Sequence, residues 1–132
     1  MIGIDTNLLL RLIVGDEPKQ AVTAREYLRG CCSADEPGYV CPTVLVELVW
    51  TLARAYGYPR EKIAAAIEQI LETAQLDVES SNDVAAAVKD YRSGTADFAD
   101  CLLVRVNSAA GCSRTVTFDR KAAKLKGFEL LK

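Results

Sequence analysis

The sequence opens on Met1-Ile2-Gly3-Ile4-Asp5-Thr6-Asn7, a short apolar segment that ends in a carboxylate. The apolar residues predict a strand at the start of the chain, and the apolar spacing in residues 8–14 predicts a helix directly after it. In an open parallel sheet, ligands usually bind at the carboxyl ends of the strands. Asp5 is therefore a candidate ligand-binding residue, although an Asp at such a junction also commonly caps a helix.

The same alternation of strand and helix continues to the end of the chain. Further strands are predicted at residues 39–41, 76–79, 115–118 and 128–131. Helices are predicted at residues 19–29, 42–56, 58–73, 82–92 and 97–109, with a short basic helix at 119–124. We expect four of the helices to end at Gly30, Gly57, Gly94 and Gly111. This pattern predicts an α/β fold with a mostly parallel sheet that is covered on both faces.

The composition excludes some kinds of catalytic site but does not identify a binding partner. A chain of 132 residues fits one domain, residues 1–132. The net charge of −2 neither supports nor excludes RNA as a ligand. The chain has no His, and its five Cys lack paired spacing, which argues against zinc sites and His-assisted nucleophiles. No secretory signal or membrane span is apparent, so we expect a cytoplasmic protein without membrane contact.

Four further acids occupy positions where a carboxylate needs an explanation. Glu47 lies in the apolar run 44–50, but it also belongs to a polar stripe at helical spacing that could simply meet solvent. Asp97 and Asp100 share one face at a helix start, where both would also stabilise the helix N-terminus. Asp119 follows a strand as Asp5 does, and a local cap is again the plain account.

Convergence of these acids would favour metal binding over independent caps. Carboxylates held together repel one another and raise each other's pKa unless a cation neutralises them. Oxygen ligands without His or Cys suit Mg²⁺ or Mn²⁺. Such an ion lowers the pKa of a bound water and stabilises the oxygens of a phosphoryl displacement, so no His base is required.

At these positions the sequence resembles the PIN-domain ribonucleases and, within them, the VapC-type toxins of toxin–antitoxin pairs. The resemblance lies in residues 4–11, in Glu47, and in residues 96–103 and 117–121, which occur in the order of the family and together cover nearly the whole chain. It implies a three-layer α/β/α PIN-like domain with a mostly parallel five-stranded sheet of order 3-2-1-4-5. It also implies RNA cleavage that depends on magnesium or manganese.

The resemblance further assigns roles to individual residues. The acidic quartet is Asp5, Glu47, Asp100 and Asp119, with Asp97 as an additional metal ligand and Thr6, Asn7 and Thr117 as supporting groups. Family members commonly form homodimers and are held inactive by a small VapB-like antitoxin. Basic residues that could contact the RNA backbone, or simply meet solvent, are Arg11, Arg120, Lys121 and Lys124. The alternative is a catalytically silent PIN-fold module that binds RNA or a partner protein.

Overall fold

The computed structural model describes every residue from Met1 to Lys132 and shows an α/β protein. The strands are β1 (Ile2–Gly3), β2 (Gly38–Val40), β3 (Leu76–Val78), β4 (Thr115–Thr117) and β5 (Phe128–Leu130). The helices are α1 (Thr6–Val14), α2 (Pro18–Cys31), α3 (Pro42–Arg54), α4 (Arg60–Glu72), α5 (Ser81–Ser93) and α6 (Phe98–Ala109). A 3-10 turn, Ala122–Lys124, precedes β5. The chain divides into two compact units, Met1–Ser81 and Asn82–Lys132, and the single domain over residues 1–132 stays a prediction.

The first unit contains a three-stranded parallel sheet in the order β3-β2-β1. Ile2 in β1 lies opposite Gly38 in β2, and β2 in turn pairs with β3. The backbone N–H of Ile4 donates to the carbonyl of Tyr39 at 2.9 Å, so the chain stays tied to the sheet after β1 has formally ended. The residue that leaves the sheet at this point is Asp5.

Helices of the first unit bury apolar stripes at helical spacing. In α3 the buried positions recur every three or four residues, as expected for one face of a helix, and they are Leu45, Leu48, Val49 and Leu52. Helix α4 is buried in the same way along Ile63, Ala64, Ile67 and Ile70. The opposite face of α3 is left at the surface, and Glu47 lies on it.

The second unit pairs β4 with β5 in parallel. Helix α6 packs on this pair, where the side-chain amide of Asn107 donates to the hydroxyl oxygen of Thr115 at 3.0 Å. At Gly127, whose φ is +101°, a Cβ would lie only 2.7 Å from Cγ2 of Val104. The chain therefore leaves room only for glycine where the segment before β5 meets α6. These contacts join the second half of α6 to the start of β4 and to the segment before β5.

The α/β class with parallel sheets is confirmed. The order β3-β2-β1 and the pair β4-β5 agree with two parts of the order 3-2-1-4-5 that the resemblance implies. The complete five-strand order stays a prediction. None of the helices has the length and apolar character that a membrane span requires.

Two predicted helix ends are wrong in detail. Helix α2 continues through Gly30 to Cys31, because the turn is closed by the N–H of Cys32, which donates to the carbonyl of Leu28 at 3.0 Å. Helix α3 ends at Arg54 and does not reach residue 56. The conformational cost of a glycine inside a helix, about 1 kcal/mol, is evidently smaller than the gain from continuing α2.

The prediction of a short basic helix at residues 119–124 is also wrong. Only the 3-10 turn Ala122–Lys124 forms there, and its first residue, Ala122, is fully buried. A 3-10 turn needs few residues and often serves as a connector. The basic side chains of this segment therefore lie on a tight turn and not on a regular helix.

Candidate active site

Asp5 lies at the junction of β1 and α1, as the sequence predicts. It occupies the N-cap position of α1 with an extended backbone, yet its side chain makes no capping hydrogen bond. The residue is exposed. The helix-cap explanation of Asp5 therefore does not describe its carboxylate, which stays accessible for a ligand.

Thr6, directly after Asp5, carries a buried hydroxyl without a hydrogen-bond partner. The residue is 4% exposed, and Oγ1 contacts no donor or acceptor within hydrogen-bonding distance. Leaving a buried polar group unsatisfied costs about 1–3 kcal/mol, so such groups are rare in native proteins. The Thr6 hydroxyl next to Asp5 is therefore free to bind a ligand or a water. Asn7, the following residue, is exposed.

Glu47 is an exposed side chain on α3, so it is not a buried charge within an apolar run. Thr43 and Arg54, which share its stripe, are exposed as well. Thr51 is half-buried, and its hydroxyl donates to the backbone carbonyl of Glu47 at 2.8 Å. The stripe meets the surface, as the solvent explanation expects, and this leaves the Glu47 carboxylate accessible.

Asp97 and Asp100 begin α6. Asp97 occupies the N-cap position, where its backbone carbonyl accepts from the N–H of Asp100 at 3.0 Å and from that of Cys101 at 3.1 Å. Its side chain makes no capping hydrogen bond. The backbone of Asp97 therefore closes the first turn, while its carboxylate is not used for capping.

Asp100 is half-buried, and its surroundings disfavour its negative charge. Burial, followed by the negative charges of Asp119 and Asp97, raises the pKa of the Asp100 carboxyl above its usual value. The charged form of Asp100 is thus disfavoured by its surroundings in the second unit. A bound cation would offset each of these penalties, because it neutralises the repulsion and replaces lost hydration.

Asp119 differs from the other acids because one of its oxygens is already used. Its Oδ1 accepts from the backbone N–H of Lys121 at 2.8 Å and from that of Ala122 at 3.4 Å. The hydroxyl oxygen of Thr117 in turn accepts from the N–H of Asp119 at 3.0 Å. The local-cap account therefore holds for Oδ1 of Asp119, and Thr117 positions this acid through its backbone.

The basic residues fall into two groups. Arg11 is held by its own surroundings, since Nε donates to Oε1 of Gln20 and the guanidinium lies 3.5 Å from the Asp16 carboxylate. Three others are exposed on the segment that follows β4, namely Arg120, Lys121 and Lys124. Only the second group is accessible without breaking an ion pair.

No group of three or more His, Cys, Asp or Glu side chains lies together as a site that would hold a metal ion. The predicted convergence on one ion therefore stays a prediction. The structure does place Asp119 and Asp97 close enough to Asp100 for their negative charges to raise its pKa.

Comparison with known proteins identifies the family of the chain. The sequence pattern of the PIN domain matches residues 2–127. The chain belongs to the PIN-domain family. A VapC ribonuclease of Aquifex aeolicus (strain VF5) is 31% identical over 126 residues, which cover 96% of this chain and 92% of that relative. The PIN domain and the VapC type expected from the sequence are thereby confirmed.

One feature of this PIN domain lies outside the predicted set. Trp50 on α3 is 60% exposed, and the guanidinium carbon of Arg54 lies 5.9 Å from the centre of its ring. Trp50 follows Glu47 by three residues, so both lie on neighbouring parts of one helix face. In the sequence, only the three-residue spacing from Glu47 indicates that Trp50 lies near the candidate site. A Trp inside the apolar run 44–50 otherwise resembles a core residue.

Proposed function

We propose that this chain is a metal-dependent endoribonuclease that hydrolyses RNA phosphodiester bonds, and that it is the toxin of a type II toxin–antitoxin pair. Its membership of the PIN-domain family and the ribonuclease among its relatives support the activity. The observation that carries the proposal is the position of Asp100, whose negative charge is disfavoured first by burial and then by the nearby acids Asp119 and Asp97. A bound cation would offset both effects, because it neutralises the repulsion and replaces lost hydration.

The donor chemistry fits a hard divalent ion. Every proposed ligand is a carboxylate, and oxygen donors of this kind suit Mg²⁺ or Mn²⁺. Asp5, Glu47 and Asp100 are the proposed principal ligands. When bound, the ion would lower the pKa of a water and stabilise negative charge on the phosphate.

The other acids take secondary roles in this proposal. Asp97 has a carboxylate that is not engaged in capping and can serve as an additional ligand. Asp119 can offer only the oxygen that does not accept backbone N–H groups, so we assign it to a second ion or to a water. Thr117 fixes the backbone of Asp119, and the unpaired hydroxyl of Thr6 can orient the carboxylate of Asp5 or a water.

Exposed cations would place the RNA. Phosphate contacts position a nucleic acid without reading its sequence. Arg120, Lys121 and Lys124 are exposed on the segment around Asp119 and suit that role. Arg11 is the weaker candidate, because binding RNA would compete with its contact to Asp16.

The proposed partners follow from the VapC type. They are a small VapB-like antitoxin and a second copy of the chain in a homodimer. We place the protein in the cytoplasm. The competing proposal is a catalytically silent module that keeps the fold to bind RNA or a partner protein. One observation favours it, since no three acids are grouped as a ready-made metal site.

Cleavage of a labelled single-stranded RNA separates these two proposals. We expect activity with Mg²⁺ or Mn²⁺, loss of activity with EDTA, and at least about a 100-fold loss in Asp5→Asn and Asp100→Asn, since even indirect metal partners typically contribute 10- to 100-fold. The matched control is Asp35→Asn, which removes an exposed acid outside the proposed site and should cleave normally. Cleavage that survives both EDTA and the two substitutions would refute the metal mechanism. RNA binding without any cleavage would favour the silent module.

A further inference from the structure

We propose that Trp50 and Arg54 form a platform on α3 that stacks one unpaired base of the RNA substrate beside Glu47. This inference rests on the proposed ribonuclease function. It assigns a substrate-positioning role to two residues outside the acidic set. Its starting point is the exposure of Trp50, the only Trp in the chain.

The position of the platform is set by helix geometry. Helical spacing puts Trp50 about 4.5 Å and Arg54 about 10.5 Å from Glu47 along the axis of α3. All three side chains are exposed, while the opposite face of the helix is buried. A base held on Trp50 would therefore lie one helical turn from a proposed metal ligand.

The chemistry of the pair suits a nucleotide. Arg54 lies over the Trp50 ring at 5.9 Å and forms no ion pair with a carboxylate in the structure. Its charge is thus available to a phosphate, while the indole offers an aromatic surface to a base. Proteins that bind single-stranded nucleic acids combine stacking aromatics with cations in this way, and the base must be unstacked from a duplex to be bound.

A second pair occurs in the segment that leads into α4. Nζ of Lys62 lies 3.9 Å from the centre of the Tyr58 ring, and that ring meets Tyr56 edge to face. The N–H of Tyr58 donates to the carbonyl of Leu52 at 3.0 Å, which folds this segment back onto the last turn of α3. Significant cation–π pairs occur about once per 70–80 residues, so two within residues 50–62 are a local concentration. The segment next to the last turn of α3 therefore carries a second aromatic and cation pair.

Binding of a fluorescein-labelled single-stranded RNA in EDTA tests the proposal without cleavage. Stacking should quench the fluorescence of Trp50, the single Trp, as RNA is added. Trp50→Leu should weaken binding by roughly 5- to 150-fold, the usual effect of losing one stacked base, and Trp50→Phe should restore most of it. Arg54→Ala should lower the salt dependence of binding by about one phosphate contact.

Matched controls use an exposed aromatic and an exposed cation of α2. Tyr27→Leu and Arg25→Ala should bind RNA like the wild type. Duplex RNA should quench Trp50 much less than the single strand, because its bases are already stacked.

The outcomes separate this inference from the proposed function. If the wild type cuts RNA but Trp50→Leu binds and cuts equally well, only the platform is wrong. If Trp50→Leu instead changes the oligomeric state in sedimentation, Trp50 belongs to an interface between copies, and the platform is again refuted. If the wild type neither binds nor cuts RNA, the proposed function fails first.

Discussion

Gly38→Ala places a methyl group where β2 meets the segment that delivers Asp5. The added Cβ would lie 2.8 Å from both Cγ1 and Cδ1 of Ile4 and 3.4 Å from Sγ of Cys32. Ile4 is itself buried and immediately precedes Asp5, so it cannot move away freely. Overpacking of this kind typically costs about 1–3 kcal/mol in the free energy of unfolding. Because Ile4 must shift to make room, cleavage of RNA should fall as well.

Urea unfolding and a double-mutant cycle measure this effect. Ile4→Ala alone should cost about 2–5 kcal/mol, as is usual for a large-to-small core substitution. The double variant should be less destabilised than the sum, because the methyl group at position 38 occupies space that Ile4 has vacated. Gly3→Ala is the matched control, since a Cβ there meets nothing within 4 Å. Additivity within about 0.5 kcal/mol would refute the steric argument, because coupled neighbours exceed that limit.

Three other perturbations test separate features. Burial and like charges raise the pKa of Asp100, so the native state holds its proton more tightly and its charge opposes folding at neutral pH. Asp100→Asn should therefore raise the free energy of unfolding at pH 7 while abolishing cleavage. This gain in stability should vanish as the pH falls below 3.8, the ordinary pKa of an Asp carboxyl. A loss of stability at pH 7 would contradict the assignment. Gly127→Ala combines a positive φ with the contact to Val104 and should cost about 2–6 kcal/mol in urea unfolding. The hydrogen bond with Glu79 is the main cause that raises the pKa of Tyr39 to about 12, so Tyr39 should titrate late by ultraviolet absorbance. Glu79→Gln should lower the pKa of Tyr39 toward its ordinary value of 10.0, and an unchanged titration would contradict this cause.

Much of the fold is legible in the sequence because local and periodic signals agree. The apolar start followed by Asp5 predicted the strand-to-helix junction, and helical spacing grouped Glu47 with the polar stripe of α3 that the structure finds at the surface. Helix ends were less legible. Gly30 has the composition of a stop signal, but hydrogen bonding beyond it carries α2 further. A single residue type cannot reveal that balance between local propensity and closure of the next turn.

The candidate site was only partly predictable. The positions of the acids at strand and helix ends made them candidates, and the resemblance to a family assigned their roles. The sequence could not show that Oδ1 of Asp119 is committed to backbone N–H groups, because that depends on how the turn after β4 folds. It also could not show that Trp50 is exposed, since the same apolar run would suit a fully buried helix. Exposure is a property of the packed molecule.

Calorimetric titration with Mn²⁺ tests the central claim, that Asp5, Glu47 and Asp100 together hold a divalent ion. The wild type should bind the ion with measurable heat. Asp5→Asn, Glu47→Gln and Asp100→Asn should each lower the affinity by at least about 10-fold, while Asp35→Asn should bind like the wild type. Wild-type protein that binds no Mn²⁺, or binding that survives all three substitutions, would contradict the claim.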